Sequence, residues 1–587
     1  MADLRPAAAA IRTVNLLGQD DFRRVFGDVL ESSPHLADAA WAYRPFADRH
    51  ALVAAFVAVA DGLDLEEVLT LLRAHPPLGL SGHMGSTSRE EQTAAGLQAL
   101  EADIRSEIAE ANARYLDRFG FPFIIAVRGL SVADIVEAMK GRMDNTPTAE
   151  VATALDQVRR IAAFRVEQIV WELSRDRARI DGARLVDRLH QLRRIGAQPG
   201  GGVTREAYGP HDVAARGLVA GWMRDAGLDV TVDAAANLIG RRAGANDRWL
   251  VGGSHLDTVV DGGWLDGAYG VVAAVEVAAA LEAASIGLDH GLVVVAFANE
   301  EGARGTAGMA GSRALVSALS AEELATCDDE GVSLRDRLAQ AGGDADTLAS
   351  AVWDPASVDA IVELHIEQGP ILDVEGAVLG VVSAVTGRQA LEVEITGVAN
   401  HAGTTPMDLR HDALAAAAEL ILALEAMPAR GVVRVATCGR IEVGPNVRNV
   451  VPGHVRLSAE FRDTDTGRLD AACLDVESQL DALSARRGVD MIPTWGQRLQ
   501  PTPADPLVID VLARVAAASG HGWRLMPSGA GHDAQVLGQV MPMGMLFIPS
   551  AGGLSHAPDE DSKVEHLVGG AQALLESMLL LDEEAGR

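Results

Sequence analysis

The spacing of apolar residues changes near residue 175. Before it, apolar residues recur at the spacing of amphipathic helices, in the segments 22–30, 51–59, 65–72, 94–100 and 151–173. After it, short runs rich in Val, Ile and Leu alternate with helical segments, which is typical of βαβ units. The charged segment 175–182 between the two patterns ends in glycine and predicts a linker. We therefore predict an all-α domain over residues 1–174, followed by an α/β domain.

Four apolar runs of the α/β part each lead into a residue type that binds metal ions. In chain order these are 249–254 before His255, 292–297 before Glu300 and Glu301, 360–364 before His365, and 543–548 before a glycine-rich turn and His556. Short runs of this kind predict buried strands, and open α/β sheets bind ligands beyond the carboxyl ends of their strands. The four runs therefore predict a single metal site at one edge of a sheet.

A third pattern covers residues 385–498. Its predicted strands and helices follow in the order β-α-β-β-α-β, which is the order of ferredoxin-like folds. Because the fourth apolar run lies after this region, the region interrupts the α/β domain, which then comprises residues 183–384 and 499–587. A small domain inserted beside a strand-edge site could close over it as a lid.

Further acidic residues extend the predicted site. A histidine that binds metal needs its second ring nitrogen held by a partner, often a carboxylate, and Asp257 lies two residues after His255. Asp266 follows a glycine-rich turn and could bridge two ions. In the adjacent pair Glu300 and Glu301, one carboxylate can bind metal while the other activates a water. Each residue alone is more often a turn, packing or solvated residue, but their combination favours metal chemistry.

Composition narrows the classes of function. The chain of 587 residues is long enough for several domains, and 48% of its residues are hydrophobic. The formal net charge of −32 argues against nucleic acid and anionic membranes as partners. No apolar run is long enough to predict a membrane span, and we see no export signal, so we expect a cytoplasmic protein. The three cysteines are scattered and lie away from the ligand residues, so we expect only nitrogen and oxygen ligands.

From about residue 183 to 585 the chain resembles the M20-type amidohydrolases, in the branch that contains allantoate amidohydrolase and N-carbamoyl-L-amino-acid hydrolase. The motifs that carry the resemblance are GSHLDTV (253–259), DGAYGV (266–271), NEEG (299–302), ELHIEQGP (363–370), NHAGTTPM (400–407), SGAGHDA (528–534) and GLSH (553–556). Seven matches in one order make the resemblance specific.

This resemblance implies two divalent ions in the hydrolase site, and Mn²⁺ or Zn²⁺ would suit the ligands. The ligand sets implied are His255, Asp266 and His365 for one ion, and Asp266, Glu301 and His556 for the other. Glu300 matches the general base, which takes a proton from the attacking water and returns it to the departing amine. We also count Asp257 among the catalytic residues.

The resemblance further implies a homodimer formed through the inserted domain. His401 matches a histidine that the inserted domain of the opposite subunit presents to the tetrahedral intermediate. The residues that match substrate-binding positions are Gln368, Asn449, Arg462, Gly531 and His532. Arg462 is physically sensible there, because a guanidinium binds a carboxylate through two parallel hydrogen bonds.

The all-α domain offers few candidates for chemistry. His75 ends a predicted helix ahead of two prolines, a position where the helix dipole favours histidine for structural reasons alone. Ser88 and Glu91 stand three residues apart, which is also the spacing of a capping box. From these residues alone, structural and catalytic roles both stay open.

Residues 15–172 resemble the cofactor-independent decarboxylases of 2-oxo-4-hydroxy-4-carboxy-5-ureidoimidazoline (OHCU). The motifs are WAYRPF (41–46), HP (75–76), SREEQ (88–92) and FGFPFI (119–124). The resemblance implies that His75 and Glu91 are catalytic, and that the substrate is also contacted by Pro76, Ser88, Gln92 and Arg165. The family usually has Asp after the His-Pro pair, whereas this chain has Pro77. If that Asp tunes the histidine, the activity of this domain is weakened.

Together the motifs predict a multidomain enzyme: an all-α N-terminal domain, then an α/β di-metal hydrolase domain with an inserted ferredoxin-like α+β lid and dimerisation domain. We expect small-molecule ureides as substrates. The N-terminal domain would convert OHCU to (S)-allantoin, and the α/β domain would hydrolyse allantoate to ureidoglycine, ammonia and CO₂. One alternative is an N-carbamoyl-L-amino-acid hydrolase with a non-catalytic docking or assembly domain in front. A metallopeptidase on the same scaffold is a third possibility.

Overall fold

The computed structural model of the chain describes residues 9–46, 49–78, 102–127, 132–175 and 178–585. The described residues up to Arg179 lie in one compact unit, and most of those from Ile180 onwards lie in a second. None of the described helices is both long and apolar enough to cross a membrane. The helix predicted at 94–100 lies outside the described residues, as do Ser88, Glu91 and Gln92.

The first unit is helical, as the spacing of its apolar residues predicts. Its described helices are Ala9–Leu16, Gln19–Phe26, Pro34–Trp41, Arg49–Asp61, Leu65–Ala74, Ala102–Phe119, Val132–Arg142 and Pro147–Arg175. Phe22 stacks on Phe26 with ring centroids 4.6 Å apart, and both belong to one buried apolar core. Asp64 and Glu67 form a capping box at the start of Leu65–Ala74, and this helix ends where His75 adopts an extended backbone.

From Ile180 onwards, strands and helices alternate. The strands are β1 Asp229–Val232, β2 Leu238–Arg242, β3 Trp249–His255, β4 Gly291–Phe297, β5 Val358–Ile366, β6 Leu379–Val385, β7 Gly387–Thr396, β8 Asn400–His401, β9 Val435–Gly444, β10 Val450–Val451, β11 His454–Asp463, β12 Asp490–Leu499, β13 Thr502–Pro503, β14 Trp523–Ser528 and β15 Met543–Ile548. The helices are Gly182–Arg193, Pro210–Asp225, Ala268–Ala283, Ala310–Leu315, Ala321–Ala325, Leu334–Gln340, Ile371–Glu375, Ala413–Glu425, Thr466–Arg487, Pro506–Ala518, Asp533–Leu537 and Val564–Glu584.

The large sheet has the order β1-β2-β4-β3-β5-β15-β6-β13, with β14 paired to β6. Its four central strands β4, β3, β5 and β15 are parallel neighbours. Every residue of β4, β5 and β15 is buried, as expected for strands covered on both faces. In register, His255 lies opposite Phe297 and His365 lies opposite Phe547, so the carboxyl ends of the four strands align at one edge.

The chain leaves this sheet after β6 and forms a second, antiparallel sheet of order β12-β7-β11-β9. In β7 and β11 buried residues alternate with exposed or half-buried ones, so one face of the sheet is covered and the other is open. The covered face contributes to an apolar core that includes Leu420 of Ala413–Glu425 and Val476 of Thr466–Arg487.

Two short crossings join the two sheets. One residue, Thr386, separates β6 from β7, and the two residues Gln500 and Pro501 separate β12 from β13. The side-chain amide of Gln535 donates to the Thr386 carbonyl at 3.0 Å and to the Gln500 carbonyl at 3.1 Å. One amide group therefore holds both crossings.

Candidate functional site

Three buried side chains meet where β3 and β5 end. His255 ends β3, His365 is the penultimate residue of β5, and Asp266 lies in the loop after β3. Asp266 Oδ1 lies 3.3 Å from His255 Nε2 and 3.2 Å from His365 Nε2. The three ligand atoms are close enough together to hold one ion.

Backbone contacts indicate which ring nitrogens can bind a metal. His255 Nδ1 lies 3.0 Å from the Asp257 carbonyl, and His365 Nδ1 lies 2.9 Å from the Ile366 carbonyl. A carbonyl only accepts, so each Nδ1 carries the proton in a neutral ring. Each Nε2 then carries the lone pair on the side of Asp266, as a metal ligand requires, and at His365 this nitrogen accepts from the Gly267 backbone N–H at 3.1 Å.

A second group of ligand atoms lies next to the first. His556 Nε2 is 3.3 Å from Asp266 Oδ2 and 3.5 Å from Glu301 Oε1. Asp266 therefore directs one oxygen to each group, which is the arrangement of a bridging carboxylate. The His556 side chain is 48% exposed, whereas Asp266 and Glu301 are nearly buried.

The turn that presents Asp266 depends on Gly267. Gly267 has a φ of +61°, a conformation that glycine adopts without steric cost. A Cβ atom at this position would lie 2.4 Å from the His255 ring. The close approach of backbone and imidazole therefore requires glycine.

Asp257 differs from its predicted role. Its carboxylate lies 3.8 Å from His255 Nδ1, and its backbone carbonyl holds that nitrogen instead, because the short turn brings the carbonyl to the ring. The carboxylate accepts hydrogen bonds from the backbone N–H groups of Glu300, at 3.3 Å, and Glu301, at 3.1 Å. Asp257 thus positions the two glutamates rather than the histidine ring.

The electrostatics of the cluster fit a cation. Burial raises the pKa of Glu300 well above its usual range, and burial together with the charge of Asp266 raises the pKa of Glu301 to about 7. A hydrogen bond to Asp266 raises the pKa of His556 to about 9. Glu301 Oε1 is buried and accepts no hydrogen bond from the described residues. Divalent ions would neutralise this excess of buried negative charge, so the donor set fits the two ions that the motifs imply.

Glu560, which the sequence motifs did not indicate, joins the loops that carry Asp266 and His556. It is 1% exposed, and its Oε1 accepts hydrogen bonds from the backbone N–H groups of Leu265, at 2.9 Å, and Asp266, at 3.1 Å. The Ser555 hydroxyl lies 2.9 Å from Glu560 Oε2 and 3.0 Å from Asp266 Oδ2. These contacts span 294 positions of sequence, and no spacing pattern could have shown them.

Glu363 is a second buried carboxylate behind the site. The Ser254 hydroxyl donates to Glu363 Oε1 at 2.6 Å, and the Ala534 backbone N–H donates to Oε2 at 3.0 Å. Glu363, His365 and His532 could hold an ion by distance, but both oxygens of Glu363 are already engaged. Glu363 thus links β3, β5 and the helix Asp533–Leu537.

The residues predicted to bind substrate lie in several places around this edge. The Gln368 amide donates to Asp266 Oδ2 at 2.8 Å. The His532 ring is buried 4.8 Å from the His365 ring, and burial keeps its pKa well below the usual range, so it is neutral. Gly531 lies beside Met309, since a Cβ atom there would be 2.7 Å from Met309 Cε.

Two other predicted residues belong to the inserted region. His401 and Asn449 lie where β8 pairs with β10, and the Asn449 carbonyl accepts from the Ala402 N–H at 2.9 Å. Both residues are exposed. Among the described residues, no hydrogen bond or ion pair joins either to the metal-binding groups, so within a single chain the structure does not bring them to the site.

The helical unit contains a buried histidine with one open nitrogen. His75 Nδ1 lies 3.0 Å from the Leu71 carbonyl, so it carries the proton, and Nε2 has no hydrogen-bond partner among the described residues. Burial lowers the pKa of His75 to about 4. The charges of Glu31 and Arg165 also act on the ring, and these two side chains form a buried ion pair at 2.7 Å.

The neighbouring prolines differ in exposure. Pro76 is half-buried, whereas Pro77 is exposed. The predicted partners Ser88, Glu91 and Gln92 lie outside the described residues. Sequence motifs did not indicate Glu31, which contacts Arg165 across more than a hundred positions.

Two family profiles match the chain. The profile described as peptidase family M20/M25/M40 matches residues 251–579, and the OHCU decarboxylase profile matches residues 15–167. N-carbamoyl-L-amino acid amidohydrolase of Geobacillus stearothermophilus is 40% identical over 67% of this chain and 97% of its own length. Allantoate amidohydrolase of Bacillus subtilis is 35% identical over 68% of this chain and 97% of its own. The crystal structure of a hydantoinase/carbamoylase family amidase from Burkholderia ambifaria is 38% identical over 70% of this chain and 99% of its own, with a TM-score of 0.64.

Proposed function

The chain belongs to the peptidase family M20/M25/M40 and carries an OHCU decarboxylase domain ahead of the region that matches this family, and we propose that it is a lyase and a hydrolase in one chain. We propose further that both parts act in ureide breakdown. In this proposal, residues 1–174 convert OHCU to (S)-allantoin. Residues 183–384 and 499–587 hydrolyse allantoate to ureidoglycine, ammonia and CO₂, with residues 385–498 as the inserted lid and dimerisation domain.

One observation carries the proposal: the two domains occur on the same chain. The product of the first reaction becomes allantoate once its ring is opened, so both domains would serve one route. Ring opening needs a further enzyme, and the sequence offers no second metal constellation for it. The fusion therefore supports co-production of two enzymes rather than direct transfer between sites.

A second candidate for the hydrolase is the cleavage of N-carbamoyl-L-amino acids. It is favoured by the 40% identity to the amidohydrolase of Geobacillus stearothermophilus, against 35% to the allantoate amidohydrolase of Bacillus subtilis. In this case the front domain would be a non-catalytic docking or assembly module. Both candidates share the ureido group and a carboxylate, so the mechanism below applies to either.

Two divalent ions, Mn²⁺ or Zn²⁺, would be held by His255, Asp266 and His365 and by Asp266, Glu301 and His556, and when bound would supply Lewis acidity at the ureido group. Glu300 takes the proton of the attacking water as the water oxygen adds to the ureido carbon. The same carboxyl group then returns the proton to the departing amine nitrogen. The two backbone hydrogen bonds to Asp257 support this role, because they fix the backbone positions of Glu300 and Glu301.

Binding and orientation of the substrate fall to polar side chains around the edge. Gln368 follows β5 and His532 precedes the helix Asp533–Leu537, whereas Arg462 and Asn449 belong to the inserted region. His401, presented by the inserted domain of a second subunit, would donate a hydrogen bond to the developing oxyanion. A dimer is supported by β9, which is an edge strand whose Val435 and Ile441 are each 43% exposed.

In the decarboxylase, His75 would act as a neutral base. Its Nδ1–H is held by the Leu71 carbonyl, so Nε2 is the atom that can accept a proton or a hydrogen bond from OHCU. The low pKa of the ring keeps this lone pair available at neutral pH. Arg165, held by Glu31, supplies a positive charge for the substrate carboxylate.

Comparing the turnover of allantoate with that of N-carbamoyl-L-amino acids tests the hydrolase proposal. We expect the full chain with added Mn²⁺ to prefer allantoate and a chelator to abolish turnover. A preference for N-carbamoyl-L-amino acids would support the second candidate, and release of amino acids from dipeptides would support a peptidase. Turnover that survives the chelator would contradict a metal-dependent hydrolase.

CO₂ release from freshly generated OHCU tests the decarboxylase proposal. We expect the full chain to accelerate this release and His75→Ala to lose the acceleration. His35→Ala is the matched control, because His35 is an exposed histidine of the same unit. An inactive full chain, or a His75→Ala variant as active as wild type, would favour the docking module.

A further inference from the structure

Arg462 belongs to a cluster of three charged side chains on the open face of the inserted sheet. In the antiparallel register of β11 and β7, Arg462 lies directly opposite Arg388. Glu460 precedes Arg462 by two residues, so successive pleats place both side chains on the same face. The three side chains are 33%, 47% and 32% exposed for Arg462, Arg388 and Glu460.

Glu460 lies between the two arginines and contacts both. Its Oε1 accepts from Arg462 Nε at 2.6 Å and also lies 2.6 Å from Arg462 Nη2. Its Oε2 lies 3.6 Å from Arg388 Nε. Two arginines and one glutamate leave the cluster with one net positive charge.

Arg462 also connects this cluster to the loop that follows β14. Its Nη1 donates to the carbonyl of Gly529, three residues before His532. A guanidinium has five N–H donors, and the contacts to Glu460 and Gly529 use three of them. One N–H on each terminal nitrogen is left for a ligand, which suits a single carboxylate.

We infer that Glu460 is a specificity-determining residue that limits this subsite to substrates with one carboxylate. The inference rests on the proposed function, in which Arg462 binds the substrate carboxylate. The class admitted is the ureido monocarboxylates, which includes allantoate and N-carbamoyl derivatives of neutral amino acids. A ureido dicarboxylate, such as an N-carbamoyl acidic amino acid, would place its second carboxylate against the carboxylate of Glu460.

The same geometry makes Glu460 a positioning residue for Arg462. It holds the Nε–Nη2 edge of the guanidinium, so the arginine meets its ligand in one orientation. Removing the charge of Glu460 should free Arg388 for a second carboxylate. Because the cluster is partly exposed, we expect the gain for a dicarboxylate to be roughly three- to tenfold in affinity.

The test measures ligand binding to the full chain loaded with Mn²⁺, by calorimetry, in a Glu300→Gln background that slows turnover. The probes are N-carbamoylglycine, with one carboxylate, and N-carbamoyl-L-aspartate, with two. We expect Glu460→Gln to raise the affinity for the dicarboxylate roughly three- to tenfold. Its affinity for the monocarboxylate should be unchanged or lower. Glu460→Asp, which keeps the charge, should retain most of the discrimination.

Two further variants separate the possible failures. Glu442→Gln makes the same change in charge at an exposed glutamate of β9 and should not alter the ratio of the two affinities. Arg462→Gln should weaken both ligands. If Arg462→Gln weakens both ligands while Glu460→Gln changes both affinities by the same factor, the inference about Glu460 is wrong but Arg462 still binds the substrate carboxylate. If Arg462→Gln changes neither affinity, both proposals fall.

Discussion

The buried carboxylate of Glu560 offers a sharp test of how the site is held together. Its Oε1 accepts two backbone N–H groups in the loop that ends at Asp266, and its Oε2 contacts the Ser555 hydroxyl next to His556. Glu560→Ala removes the acceptor and leaves two buried N–H groups unpaired. Glu560→Gln keeps an oxygen for both N–H groups and offers its amide to the Ser555 oxygen, which can still donate to Asp266.

The expected magnitudes follow from these contacts. A buried donor left unsatisfied costs roughly 1–3 kcal/mol, so Glu560→Ala should lower the free energy of unfolding of the metal-free protein by about 2–6 kcal/mol. Loss of a group that orients metal ligands typically weakens metal affinity ten- to a hundredfold, and we expect roughly that loss for the ion proposed to bind Asp266, Glu301 and His556. The ion held by the two buried histidines should be affected less, because His255 and His365 are fixed by other carbonyls.

Competition titration with a chelating dye measures both ion affinities, and thermal unfolding of the metal-free chain measures stability. Glu565→Ala is the control, because Glu565 is exposed and lies five residues further along. We expect Glu560→Gln to behave nearly as wild type in both measurements. Glu560 does not hold the loops in this way if Glu560→Ala binds both ions as wild type does, or if Glu560→Gln is as damaging as the alanine variant.

Three further predictions concern both sites. For His75, burial lowers the pKa from 6.5 to about 4, so between these pH values the unfolded chain binds a proton that the folded chain does not. Stability should therefore fall by about 3 kcal/mol as the pH drops from 6.5 to 4, and His75→Gln should remove this slope in acid unfolding curves. Glu300→Gln should reduce kcat for ureide hydrolysis at least a hundredfold and leave both metal affinities nearly intact. Asp257→Asn should lower kcat and weaken the ion at Glu301, because the amide accepts only one of the two backbone hydrogen bonds well.

For the acid slope, exposed His35→Gln should unfold as wild type, and an unchanged slope in His75→Gln would show that another group causes it. Near-normal turnover by metal-loaded Glu300→Gln would remove it as the base. For Asp257→Asn, full activity with an unchanged ion affinity would mean that the glutamate pair is held without its carboxylate.

The pattern of apolar residues predicts the strands that carry the site, because each buried strand is a short continuous run of apolar residues. The runs before His255, Glu300 and His365 are the parallel strands β3, β4 and β5, and their carboxyl ends form one edge. Helical spacing likewise predicts four of the eight described helices of the first unit. These are local signals, and a single sequence carries them.

Contacts made between distant loops are not predictable in this way. The carboxylate of Asp257 was expected to hold the His255 ring. Because Asp257 lies only two residues after His255, either its carbonyl or its carboxylate could reach the ring, and the tertiary fold determines that the carbonyl does. Glu560 and Glu363 bind their partners 294 and 109 positions away. In sequence each is one acidic residue among 82, so burial and pairing become visible only in the folded chain.

The single amide that holds both crossings between the sheets has a mechanical consequence. One crossing has a single residue and the other has two, and the Gln535 amide is hydrogen-bonded to both. We therefore expect the two crossings to bend together. Bending at either crossing would therefore strain a hydrogen bond of the same side-chain amide. Because Gln535 lies in the short helix Asp533–Leu537, directly after His532, strain at the crossings would reach the helix that follows His532.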